Sequence, residues 1–533
     1  MPSYFSTYIK YTKIVIKGLP IETYMRKDDD INLETRSSLK TDEKILWMLH
    51  WFTYGTFKYI TTCAKFEIFK IMSLFDKDKK HQSSILKKRA GLFFSSSSWT
   101  DQDIPFANNR LVNYNFPLAL GISQNKALRN LCRFKSVLPD NKTLIKWIIS
   151  SQQANTIKKQ SGNWYIWGEE PFDYGMWLKN SRYYKYPYIA PDIVKFLFNI
   201  ETFEIKLIDY KNNTYDNKSP LFEAALIHTF SLIGLTATIG GQHSWVHFHM
   251  PCVISESVNL ILNEGSVLHK ILKVHTEYTS NINNQALWNP ASTNWEPSNP
   301  TFAFPFDYKD SVLGGIHDGI VAKYDKVYGK HSDTDICFFE RYNYENGDFD
   351  INIPYHRFCM AYYKVIENFI TEITPYIDVN EFLKFEEYVK SKFVGRWFSP
   401  EKSCQYRMIK FLSSFIHNVS ILHSSDHYTF WVGINALSAS IRLTNHIKDT
   451  DVNSVINNQY EIYHTQTSNN TFSYSHFNET SKMLLDINYK FNYKKLDELN
   501  DKFIENLKST EKSLKENNLN LCPTTCIFPS ICA

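Results

Sequence analysis

Three histidines fall within seven residues, at His243, His247 and His249 in the run GGQHSWVHFHM. A second pair, His423 and His427, recurs far downstream in HSSDHYTFW. An α-helix sets residues i and i+4 about 40° apart on one face, so each HxxxH pair can aim two imidazoles at one point. A single such pair is more often two unrelated histidines. Its recurrence on a second helix makes four nitrogen ligands available to one ion. Imidazole suits iron, copper, nickel or zinc, and an iron site with open positions is the usual setting for O₂ chemistry. A zinc peptidase wants glutamate directly after the first histidine as its base; Ser244 and Ser424 stand there instead, which argues against that chemistry. His417 precedes His423 by six residues, about 120° around the same helix, and reads as a neighbour and not a ligand.

Such ligands need long buried elements to carry them. The second pair sits in CQYRMIKFLSSFIHNVSILHSSDHYTFWVGINA (404–436), and the first runs on through VISESVNLIL after the Gly240-Gly241 break. Further helices are expected in the aromatic stretch 42–76, at 219–235 with a Ser N-cap followed by proline, across 350–377, in EFLKFEEYVKSKF and in KKLDELNDKFIENLKSTEKSLKENN. Short β-branched and aromatic runs near 161–165 and 203–210, bounded by Gly, Asn and Asp, read as strands of a small inserted sheet. The run 78–89 is a basic exposed connector, 110–119 a short helix or turn, and 288–350 and 449–480 are loop-rich. The chain shows no internal repeat. It reads as a mainly α protein, with a helical segment over 1–95 packed on a catalytic unit over 96–533.

Composition sets the outer bounds. The 533 residues are 43% hydrophobic and 21% charged, with 38 Phe and 33 Tyr to fill a large core. A net charge of +4 gives no case for a nucleic-acid partner. Nine scattered cysteines, an odd number in a long chain, favour reduced thiols over a disulfide framework. The N-terminal run lacks a sustained apolar stretch, and no segment approaches the roughly 18 apolar residues of a membrane span. A cytoplasmic location is the expectation.

Several segments together resemble the lipoxygenases, non-haem iron dioxygenases of polyunsaturated fatty acids. HSWVHFH followed by VISESV is similar to the family's first metal helix, with Glu256 matching a glutamate that follows the histidines. KILKVHTEYTSNIN is similar to the family's lysine–leucine–leucine, histidine, threonine, isoleucine–asparagine run, and IPYHRFCMAYYKVIENFITEI resembles a helix of its animal members. HSSDHYTFWVGINA resembles the second metal helix, and RLVNYNFPLA more weakly an early Asn-Pro segment. The resemblance spans roughly 105–533 in the family's order. It implies a lipoxygenase-like helical catalytic domain with two long central metal-binding helices around one iron, manganese being the alternative. It also implies that Fe(III)–OH takes a hydrogen atom from the doubly allylic carbon of a cis,cis-1,4-diene, after which O₂ adds to give a hydroperoxide. The implied ligands are His243, His247, His423, His427 and the carboxylate of Ala533, with His249 as the alternative to His243. The implied partners are a polyunsaturated fatty acid and O₂. A monomer is expected, and exposed aromatics are compatible with peripheral membrane contact.

The chain departs from the family in places. Its first histidine pair is i,i+4, where the family spaces these ligands i,i+5 across a π-type widening; counting back from Glu256 puts Gln242 on the first ligand position. Pro251 cannot donate to the carbonyl of His247 and would clash with it in a regular helix, so a local distortion is expected there. Asn281 stands where the family has Ala or Gly, the residue that sets which carbon and face receive O₂, and Phe430 replaces a glutamine beside the second metal helix. Residues 1–95 are expected to carry helices, as in the compact members, in place of the N-terminal lipid-binding β-barrel of plant and animal members. These departures leave two further readings open. One is a lipoxygenase fold that has lost dioxygenation and serves as a lipid-binding or interaction module. The other is a different metal-dependent oxygenase on the same scaffold.

Overall fold

The structure, a computed structural model, describes residues 141–167, 194–210, 213–235, 246, 250–276, 279, 338–340, 349–392, 397–426, 443, 445–455, 483–522, 524 and 527–531. The helical segment expected over 1–95 and the segment at 110–119 lie outside these residues.

Helix α1 (Asn141–Ile149) leads through a 3₁₀ turn at Gln152–Thr156 into a five-stranded antiparallel sheet. Its strands are β1 (Ile157–Ser161), β2 (Trp164–Trp167), β3 (Val194–Asn199), β4 (Ile205–Tyr210) and β5 (Asn213–Tyr215), and they pair in chain order. Side chains alternate faces along a strand, so Tyr165 and Trp167, opposite Phe198 and Phe196, fall on one buried face. Gly162 turns β1 into β2 with φ of +54°, a conformation that costs a side chain about 1–2 kcal/mol.

Helix α2 (Phe222–Leu235) lies over β3 and β4. It is apolar on every side, and residues 224–233 are all buried, as such a helix must be. Its edge-on contact between Phe230 and Trp147, 5.5 Å between ring centres, joins it to α1. The helix begins at Phe222 and not at Ser219. The Ser219 hydroxyl accepts from Leu221 N in a turn that precedes the helix, a local bond that competes with capping.

Helices α3 (Met250–Ile261) and α4 (Val267–His275) follow, α4 capped by Ser266, whose hydroxyl accepts from His269 N at 3.1 Å. Helix α5 (Pro354–Ile373) starts on a proline, which fits the first turn because no N–H is needed there. Its buried stripe, from Tyr355 and Phe358 through Tyr362, Ile366 and Phe369 to Ile373, keeps the 3.6-residue period. Helix α6 (Val379–Lys392) packs on α3, and α5 packs on both α7 (Cys404–His417) and α8 (Lys494–Glu516). Among the described residues no helix is long and apolar enough to cross a membrane.

The centre of this arrangement is α7 and its continuation. Ser403 caps the helix by accepting from Tyr406 N at 3.2 Å. Residues 411–426 are then buried without a break. A helix buried on all sides cannot be a surface element; it is the axis on which the others pack.

Candidate metal centre

At Asn418–Leu422 the central helix widens to π geometry before resuming as α at 423–426. The amide of His423 itself makes the widened bond, reaching back five residues to the Asn418 carbonyl. Such π segments inside α-helices are uncommon and concentrate at functional sites. Serine side chains take part locally: Ser420 donates to the Ile416 carbonyl, and Ser425 to that of Leu422 at 3.0 Å. Small hydroxyl side chains let neighbouring elements approach an otherwise crowded axis.

His423 is fully buried at the junction where the π segment ends. Val246, between His243 and His247, also has π-helical conformation and is buried. Val246 is the one residue described there. His243, His247, His249, His427, Asn281 and Ala533 lie outside the described residues. So does Phe430. Among the described residues no group of three or more His, Cys, Asp or Glu side chains forms a metal site. Glu256, on α3, is buried.

Two ionisable groups of the same helix, His417 and Asp426, are buried. Burial pushes the His417 imidazole down to about 3, so it is neutral. Its Nε2 meets the Cys359 carbonyl of α5 at 3.1 Å and, facing a pure acceptor, donates to it. Its ring also stands edge-on to Tyr363 at 5.5 Å. Asp426, between the two histidines of HSSDH, is fully enclosed, and burial raises its carboxyl well above the usual carboxylate range. Gln152, from the 3₁₀ turn before the sheet, donates Nε2–H to Asp426 Oδ1 at 2.7 Å and ties the sheet region to the helix.

The C-terminal tail passes directly beside this helix. Phe528 N–H donates to Ser424 Oγ at 2.9 Å, one residue past His423, and the Cys522 thiol contacts the Ser424 carbonyl at 3.9 Å. Ile527 accepts from Leu484 N at 2.8 Å, while Thr524 bonds Glu511 of α8 through both its amide and its hydroxyl. Pro529 O accepts from His275 Nδ1 at 2.6 Å, and Tyr489 OH lies 2.8 Å from His275 Nε2. Residues 527–531 are all buried.

The sequence assigns no role to Asp426, Gln152 or Tyr489; it marks Ser424 only as the place of a missing glutamate, and His275 only as part of a run that resembles the family's. For His275 a signal exists. Leu268, Ile271, Leu272 and His275 form one buried stripe of α4, and a polar residue on an apolar stripe needs a hydrogen-bond partner. Nothing local in the sequence names that partner.

A fully buried imidazole at a π-to-α junction fits a ligand of a transition metal, for which imidazole is a common donor. The donor set is incomplete among the described residues but chemically consistent with such an ion.

No family model matches the chain, and no curated protein matches it. Solved structures do. The manganese lipoxygenase of Gaeumannomyces graminis is similar over 100% of this chain and 99% of its own, with TM-score 0.57 and 11% identity. The Fusarium graminearum lipoxygenase is similar over 85% of this chain and 90% of its own, with TM-score 0.53 and 14% identity. The coral 8R-lipoxygenase aligns over 74% of this chain, with TM-score 0.56 and 13% identity. The alignment spans 66% of the coral protein's length. The chain has the lipoxygenase fold: helical, with a small antiparallel sheet.

Proposed function

We propose that the chain is a lipoxygenase-like dioxygenase that inserts O₂ into a cis,cis-1,4-diene of a polyunsaturated fatty acid to give a hydroperoxide. The observation that carries the reading is the setting of His423. It is fully buried where the π segment ends, on the axis of a lipoxygenase fold, with the tail hydrogen-bonded to the next residue. His247, His423 and His427, with His243 or His249, would hold the metal together with the Ala533 carboxylate. Ala533 follows Phe528 by five residues, a reach of at most about 18 Å. Iron, or manganese as in the Gaeumannomyces enzyme, would supply the redox step that removes a hydrogen atom from the diene.

The chain's own residues do the positioning. The π turn sets the direction of His423, and Ser424 fixes the tail alongside it. Asn281 occupies the position that governs where O₂ adds.

A second reading, a lipid-binding protein without dioxygenase activity, is favoured by Asn281 and Phe430, which replace residues of the family pattern. Metal content per chain, measured in wild type beside His423→Ala with no residues added after Ala533, separates the two. About one metal per chain in the wild type, lost in the variant, together with oxygen uptake on linoleate, supports the enzyme. No metal in either protein after iron and manganese are offered overturns it.

A further inference from the structure

Each of three successive tail residues is held by a different part of the fold. Leu484 N–H donates to Ile527 O, Phe528 N–H donates to Ser424 Oγ on the central helix, and Pro529 O faces His275 of α4. Proline has no N–H, so its carbonyl is its single polar backbone group. His275 takes that group, and it does so from a position with no exposed surface. The tautomer follows from the partners. A carbonyl can only accept, so Nδ1 carries the proton; Nε2 of the neutral ring is then the acceptor, and Tyr489 OH donates to it. The Tyr489 ring is in turn stacked on Phe369 of α5, 5.6 Å between centres. One imidazole therefore joins α4, the segment before α8 and the tail, with both of its nitrogens used.

We propose that His275 is a positioning residue: by bonding Pro529 and Tyr489 it fixes the tail against the His423 helix and sets how tightly the centre retains its metal. The metal part of this inference rests on the function proposed above; the tail part rests on the geometry alone.

The test uses the full chain as wild type, His275→Leu, His275→Asn and Tyr489→Phe, each checked for folding by circular dichroism. Asparagine places an N–H near the position of Nδ1 and so keeps the bond to Pro529, whereas leucine keeps bulk and loses both bonds. Retention of Mn(II) or Fe(II) is measured anaerobically by chelator competition, and hydrogen exchange at the Phe528 amide is measured without metal. His275→Leu is expected to weaken metal retention at least tenfold and to speed Phe528 exchange, His275→Asn to recover most but not all of both through the Pro529 bond, and Tyr489→Phe to lose the smaller remaining part of both. Leucine matching the wild type in both readouts, or asparagine failing as leucine does, overturns the inference. Should His275→Leu not fold, Tyr489→Phe decides. It removes one hydroxyl, and unchanged retention and exchange there would refute the role. If the wild type itself holds no metal, the proposed function fails, and Phe528 exchange alone decides whether His275 holds the tail.

Discussion

Burial holds the His275 imidazole at about 4, against 6.5 for a free histidine, so the folded chain keeps it neutral where the unfolded chain has begun to protonate. Below pH 6.5 the unfolded state binds the extra proton, and stability falls with pH until the folded value is reached. At pH 5.5 the unfolded histidine lies one unit below its own pKa, which costs the folded state about 1.4 kcal/mol. That figure depends on the unfolded pKa alone so long as the folded value lies well under 5.5. His275→Gln removes the titration. The stability gap between wild type and variant should therefore shrink by about 1.4 kcal/mol between pH 7.5 and 5.5. Asp426 contributes with the opposite sign, because a carboxyl raised by burial gains stability as pH falls, but it is the same in both proteins and cancels. Urea unfolding followed by tryptophan fluorescence measures the gap at each pH. An unchanged gap would show that the imidazole takes up its proton in the folded chain, and the tautomer deduced from its two partners would be wrong.

His417, held at about 3, should give a gap of the same size and sign in His417→Gln across the same interval, checked the same way. Ser424→Ala leaves the buried Phe528 N–H without its acceptor and should cost about 1–3 kcal/mol in urea titration. Glu386 accepts from Arg407 Nε at 2.7 Å, from its second terminal nitrogen at 2.8 Å and from Trp397 Nε1 at 3.1 Å. Glu386→Ala leaves the partly buried Arg407, still bonded to the Lys402 carbonyl, without its carboxylate and should cost about 1–3 kcal/mol in urea titration, whereas no measurable loss would mark the pair as solvated. Gly265 has φ of +87° with open space around its missing Cβ, so Gly265→Ala should cost about 1–2 kcal/mol from conformation alone, read as a lowered unfolding midpoint.

The sequence made visible what depends on near neighbours. Pro354 followed by a 3.6-residue apolar stripe announces α5, and KKLDELNDKFIENL announces α8, because both patterns are local. Of the small sheet, β2 and β4 were legible from the runs WYIW and IKLIDY, bounded by Gly, Asn and Asp. The π widening was not, since NVSIL reads like any apolar helical run, and a bond from His423 to Asn418 instead of the residue after it leaves periodicity almost unchanged. Nor were the partners of the buried polar groups. His275 meets Pro529 at a separation of 254 residues, Gln152 meets Asp426 at 274, and Ser424 meets Phe528 at 104. Ser219 misled because a hydroxyl before a helix can cap it or close a turn, and the choice is settled by packing.

The seating of residues 527–529 also bears on the order of events during synthesis. The sheet pairs its strands in chain order and meets α2 soon after, so that region can form while the chain is still emerging. The core around the central helix has no such freedom. His275 and Ser424 are translated long before Pro529 and Phe528, and until those arrive both stand in a seam that water must fill. Closure of that axis waits for residues 527–529, so a chain truncated before residue 527 is expected to keep its sheet region and leave the centre hydrated.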